Sequence, residues 1–92
     1  MLIDVVRVTP GADFTLELEY ANGERRLFDA RPLLAVKPWT PLSNWSTFRL
    51  ARVEYGTVTW PGDLDIAPET LYDRSRPING DRVWSAPQQQ PA

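Results

Sequence analysis

Apolar and polar residues alternate strictly from Phe14 to Tyr20. Phe14, Leu16, Leu18 and Tyr20 fall on one face and Thr15, Glu17 and Glu19 on the other, the period-two pattern of a half-buried strand. Asn22-Gly23 follows, and this pair favours a type I′ turn, whose two central residues both need positive φ. A two-residue loop then sets a register: Ala21 faces Glu24, Tyr20 faces Arg25, Glu19 faces Arg26 and Leu18 faces Leu27. Leucine meets leucine on the core side and glutamate meets arginine on the wet side, and such cross-strand pairs contribute on the order of 0.2–1 kcal/mol each. Upstream, Leu2 to Thr9 alternates loosely around Val5, Val6 and Val8 and reads as a first strand closed by Pro10-Gly11. The pattern predicts a three-stranded meander ending at Phe28.

The periodicity then shortens. Asp29 is placed to cap a helical turn over Ala30 to Ala35, with Pro32 tolerated in the first turn. Pro38 and Pro41 each bias the preceding residue towards extended backbone, so Lys37 to Leu42 is a loop in which Trp39 and Leu42 lid the core. Ser43 or Asn44 can cap a second short helix from Trp45 to about Leu50, with Trp45 and Phe48 on one side. Arg52 to Tyr55 starts a fourth strand. Gly56 permits a bend, and Thr57-Val58-Thr59-Trp60 continues as a fifth strand or beyond a bulge. Pro61-Gly62 ends that run. Asp65-Ile66-Ala67-Pro68-Glu69 carries helix-start signals, with Asp65 as the capping carboxylate, and Leu71 and Tyr72 give the helix an apolar edge.

After Tyr72 the chain turns polar and rich in turn residues, and Ser85 to Ala92 is low in complexity. One domain over residues 1–73 with a polar, Pro/Gln-containing tail over 74–92 is the expected layout. The fold class is α+β and two-layered: a small, mostly antiparallel sheet, built from the meander and a later strand or hairpin, covered by two or three short helices.

Composition narrows the chemistry. The 92 residues contain no cysteine and no histidine, which removes thiolate catalysis, the usual proton shuttle near neutral pH and the commonest metal ligands. A net charge of −2 opposes bulk attraction to nucleic acid or anionic membrane. No apolar run approaches a membrane span, and the Met1-Leu2-Ile3-Asp4 start lacks the plan of a signal peptide. The expectation is a cytoplasmic protein with no catalytic residues, no cofactor and no metal. Asp63, Asp65 and Glu69 could form a carboxylate cluster for Mg²⁺, but helix capping accounts for them more simply. Glu17 and Glu19 could pair as in a glycosidase, but arginines on the facing strand make a solvated ion-pair ladder the better account. Arg25-Arg26-Arg31 or Arg49-Arg52 could hold phosphate, against which stand the negative net charge and the interleaved acids. Trp39, Trp45 and Trp60 read as core and lid before they read as base-stacking platforms. Nine of the ten cations are arginine, a bias that codon usage or an interface would each produce.

A group of these residues resembles one small bacterial family, domain of unknown function 2442. They are Asn22-Gly23, Phe28-Asp29, Pro32-Leu33-Leu34, Leu42, Phe48, Val53, Gly56-Thr57-Val58, Trp60-Pro61 and the run from Asp65 to Tyr72. The resemblance spans about Leu2 to Tyr72, with the Trp-Pro…Asp-Ile-Ala-Pro-Glu-Thr-Leu-Tyr stretch its most specific part. It implies an α+β domain without established enzymatic activity, often encoded beside a small partner of domain-of-unknown-function family 4160 in a pairing of toxin–antitoxin type, with this member as antitoxin. Some relatives carry a helix-turn-helix, for which the residues after Tyr72 have neither the length nor the periodicity. The expected function is therefore a non-catalytic protein-interaction module, with a regulatory nucleic-acid binder, alone or in complex with the partner, as the alternative. Partner contacts are expected at Trp84, Ile78, Arg74 and Arg76, since interface energy concentrates in aromatic and arginine anchors. Trp84, in a segment with few apolar neighbours, either covers a sheet edge or anchors the partner.

Overall fold

The computed structural model describes residues 3–78. Three antiparallel strands come first: β1 (Val5–Pro10), β2 (Thr15–Tyr20) and β3 (Arg25–Asp29). Two 3-10 turns follow, Arg31–Ala35 and Thr40–Ser43, then the single-turn helix α1 (Trp45–Phe48). Strands β4 (Arg52–Glu54), β5 (Thr57–Trp60) and β6 (Leu64–Asp65) form a second, three-stranded sheet. Helix α2 (Pro68–Arg74) leads into β7 (Ser75–Pro77), which returns to β3, so the larger sheet runs β1-β2-β3-β7. The fold is α+β, with all strand pairs antiparallel.

The faces of β2 follow its alternation: Leu16, Leu18 and Tyr20 are buried, and Thr15, Glu17 and Glu19 are half-buried. Phe14 lies outside the strand, with φ +63°, and packs its ring 5.1 Å from Phe48. The β2–β3 register differs from the expected one by a residue. Leu18 faces Arg26, Glu17 faces Leu27 and Glu19 faces Arg25. The cause is the loop. Gly23 has φ +90° and Asn22 is not left-handed. The Gly23 amide donates to the Tyr20 carbonyl (2.9 Å) and the Tyr20 amide to the Glu24 carbonyl (2.8 Å). This is a three-residue loop over Ala21-Asn22-Gly23, a tight turn closed by a left-handed glycine, and not a type I′ turn. One residue of slip turns Arg26 inward and Leu27 outward.

The type I′ geometry appears instead at Tyr55-Gly56, with φ of +55° and +75°, between Glu54 and Thr57, which face each other across β4 and β5. The Gly56 carbonyl accepts the Val5 amide at 3.0 Å, which ties the smaller sheet to β1. All of β5 is buried. Trp60 is a central core residue, and its Nε1 donates to the Phe48 carbonyl at 3.0 Å. Around it stand Leu16, Leu18, Phe28, Leu42, Ile66 and Leu71, all essentially inaccessible. Side chains of this size each contribute about 1.5–3 kcal/mol when removed from water.

Asn44 caps α1, its side chain accepting the Ser46 amide at 3.1 Å. Asp29 Oδ1 accepts the Arg31 amide at 3.0 Å at the start of the first 3-10 turn. Asp65 does not cap α2. It lies in β6 opposite Thr59, and Ala67 occupies the N-cap position without a side-chain bond. Pro68 and Glu69 do occupy the first turn of α2. Trp39 is half-buried, with Nε1 donating to the Asp65 carbonyl at 2.9 Å, whereas Trp45 is 40% exposed. The folded body also extends past residue 73, the expected boundary. Ser75, Arg76 and Pro77 pair with Phe28, Leu27 and Arg26, so part of the expected tail is a sheet strand. Among the described residues no helix is long and apolar enough to cross a membrane.

Candidate partner-binding face

Two features position the candidate site: the pleat of the larger sheet, and a polar cluster that pins β7 to it. The cluster exists because Arg26 points inward. Its Nε donates to Ser75 Oγ (2.6 Å), its Nη2 to the Ser75 carbonyl (2.8 Å) and its Nη1 to Glu24 Oε2 (3.2 Å). The guanidinium also lies 4.1 Å from the centre of the Tyr72 ring, within cation–π reach. Tyr72 Oη donates to the Glu24 carboxylate at 3.0 Å, and Ser75 Oγ donates to the Tyr72 carbonyl at 2.9 Å. Hydrogen bonds from Asn22, Tyr72 and Arg26 hold the Glu24 carboxyl below the usual carboxylate range, and the bond to Glu24 raises the Tyr72 phenol. Beside them Tyr20 Oη is buried without a hydrogen-bond partner among the described residues, and burial pushes its phenol up to about 12.

On the opposite, solvent-facing side the register produces rows: Arg7-Glu19-Arg25 and Thr9-Glu17-Leu27-Arg76. Arg7 Nε pairs with Glu19 Oε1 at 3.2 Å, and Arg25 pairs with Glu17. The two glutamates are ion-paired as expected, but only Glu17 takes its arginine from β3; Glu19 pairs with Arg7 of β1, because the register slip turns Arg26 inward. At the β7 end, Arg31 forks onto Asp29, Nε to Oδ1 at 2.9 Å and Nη2 to Oδ2 at 2.8 Å, and this guanidinium holds the Asp29 carboxyl below its ordinary range. Arg31, Arg74 and Arg76, together with Asp29, Leu27 and Thr15, line a depression of about 340 Å³.

The four residues expected to touch a partner fare differently. Arg74 ends α2 and Arg76 is the middle residue of β7; both are exposed, and both border the same depression. Ile78 is half-buried, and its amide donates to the Arg25 carbonyl at 2.8 Å. Trp84 lies outside the described residues. Leu27 was not foreseen, since the expected register put it in the core, and Arg31, considered with Arg25 and Arg26 as a phosphate site, stands instead with Arg74 and Arg76. A three-residue loop at Ala21-Asn22-Gly23 is the sequence feature that would have placed it outside. Among the described residues no group of three or more histidines, cysteines or acids is placed to hold a metal ion. Asp63 sits in the β5–β6 turn with φ +63°, Asp65 in β6 and Glu69 in α2.

These elements define a two-sheet α+β domain with a charged sheet face free of any helical cover among the described residues. The chain belongs to the family described as protein of unknown function (DUF2442), which matches residues 5–77, from the first residue of β1 to the last of β7. No curated protein and no solved structure matches it at a significant level.

Proposed function

We propose that this protein is a non-catalytic protein-interaction module of the cytoplasm, the antitoxin-like member of a pair formed with a small protein encoded beside it. The observation that carries this reading is the outer face of the larger sheet. A half-buried leucine and two arginines without ion-pair partners among the described residues lie together there, on a surface that β7 completes. Arginine beside exposed apolar area is the composition of interface anchors.

Co-expression with the neighbouring gene product tests the proposal: a complex of fixed stoichiometry is expected to co-purify, and its absence would overturn the pairing. Truncation after Ile78 keeps β7 intact, and Trp84→Ala in the full chain reads the contribution of that residue to capture. The regulatory alternative has its own measurement. A gel shift on the DNA upstream of the gene pair, with a steep loss of binding as salt rises, would favour it.

A further inference from the structure

We infer that the depression at Leu27, between Arg74 and Arg76, receives an acidic segment of the partner protein. The inference rests on the interaction reading above and names the chemistry of what docks. Arg31 is already forked onto Asp29, so that pair is close to neutral. Arg74 and Arg76 remain, exposed and two residues apart, as local positive charge on a chain whose net charge is −2. Guanidinium groups bind carboxylate through two parallel N–H···O bonds, and Leu27 supplies apolar floor for a neighbouring side chain.

Two observations fix the manner and class of docking. Strand addition at the β7 edge is blunted, because Pro77 has no amide hydrogen and the Ser75 amide donates to the Tyr72 carbonyl. The segment therefore lies over the face and does not extend the sheet. The positive area is also short. Along the row from Arg76, Leu27 is next and Glu17, already paired with Arg25, follows, so at sheet spacing the positive area ends within about 10 Å. Asp73 adjoins Arg74 on the helix side. A nucleic-acid backbone with regularly spaced phosphates would run past this short area, over the neutralised Glu17–Arg25 pair and over Asp73, whereas one or two carboxylates on a peptide fit within it.

The probe is acetyl-Glu-Glu-Leu-Glu-Glu-Leu-amide, titrated into the full chain and followed by amide NMR, with the lysine analogue, inorganic phosphate and a single-stranded oligonucleotide as comparisons. Shifts are expected at Leu27, Arg74 and Arg76, fading as salt rises from roughly 0.05 to 0.5 M. Affinity should fall about tenfold or more in R74E/R76E and stay unchanged in R7E, at the far end of the face. R74Q/R76Q, with a circular-dichroism spectrum matching wild type, guards against a folding effect of charge reversal. Failure of the peptide to bind, binding untouched by R74E/R76E, or stronger binding of phosphate or oligonucleotide at these residues would overturn the inference. Full capture of the neighbouring gene product by R74E/R76E would sink the docking face and leave the pairing intact. Peptide binding at this site with no such capture by wild type would do the reverse.

Discussion

Alanine at Gly56 tests how the two sheets are joined. Gly56 has φ +75°, and a Cβ built on it falls 2.4 Å from Asp4 Oδ1 and 2.7 Å from Asp4 Cγ. The left-handed conformation costs a non-glycine residue about 1–2 kcal/mol. The collision adds an overpacking cost of about 1–3 kcal/mol, because Asp4 cannot retreat freely: its Cβ is 3.2 Å away and its carbonyl is held by the Ala21 amide at 2.9 Å. Gly56→Ala should therefore cost about 2–5 kcal/mol in total. Gly23 is the control. Its φ is +90°, but a Cβ there meets nothing within 4 Å, so Gly23→Ala should cost only the conformational part, about 1–2 kcal/mol. Urea denaturation measures both, and each kcal/mol should lower Tm by about 4–8 °C in a domain of this size. Asp4 is exposed, so Asp4→Ala alone should change stability by about 0.5 kcal/mol at most. On the Gly56→Ala background it should restore the collision part. Equal losses at Gly56 and Gly23, or no recovery with Asp4→Ala, would refute the close packing of the hairpin tip on the first strand.

Tyr55 occupies the other left-handed position of that turn, 97% exposed, so Tyr55→Asn should stabilise the fold by about 0.5–1 kcal/mol in the same assay. Tyr20→Phe removes a buried hydroxyl that has no partner among the described residues and should leave stability equal or higher, within about 1 kcal/mol. The Tyr20 phenol is raised from 10.0 to about 12, so the unfolded chain releases that proton first, and stability should fall as pH rises through this window. Tyr20→Phe should flatten part of that loss, the remainder belonging to the raised Tyr72. Deleting Ala21 leaves Asn22-Gly23 as a two-residue loop between the bonded Tyr20 and Glu24. The Leu27–Arg76 pairing should persist in cross-strand NMR contacts, at the cost of the Ala21–Asp4 hydrogen bond, about 0.5–1.5 kcal/mol.

What could be read in advance was set by strong local pattern. The alternation of β2 fixed its buried face, and Pro61-Gly62 and Pro68 marked the end of β5 and the start of α2. The β2–β3 register was not legible, because Asn-Gly serves both a type I′ turn and a three-residue loop, and only the φ of Asn22 separates them. The type I′ turn occurs where tyrosine, a poor left-handed residue, makes it locally unattractive, with the Val5 bond to Gly56 holding it in place. Strand β7 carried no signal at all: Ser-Arg-Pro has no apolar residue, and its anchor, Arg26, reads as a solvent-face charge. Arg74 and Arg76 were identifiable as candidates by residue type. Their convergence with Leu27 and Arg31 depends on that hidden strand.

The arginine bias can be sorted by what each guanidinium meets. Arg7, Arg25, Arg26, Arg31 and Arg52 each have a carboxylate partner, and Arg26 alone also directs two bonds to Ser75 that join a strand to the sheet. A compositional drift towards arginine would scatter the remaining cations over the surface. Arg49 fits that account, lying apart just after α1. Arg74 and Arg76 do not: the chain places them on either side of Ser75, whose buried hydroxyl fixes the backbone between them, and both border the depression over Leu27. The bond that completes the fold at Ser75 is therefore also what holds these two guanidinium groups, unpaired among the described residues, beside one depression. In the proposed docking, guanidinium groups held in place by the fold need less ordering on binding, which lowers its cost.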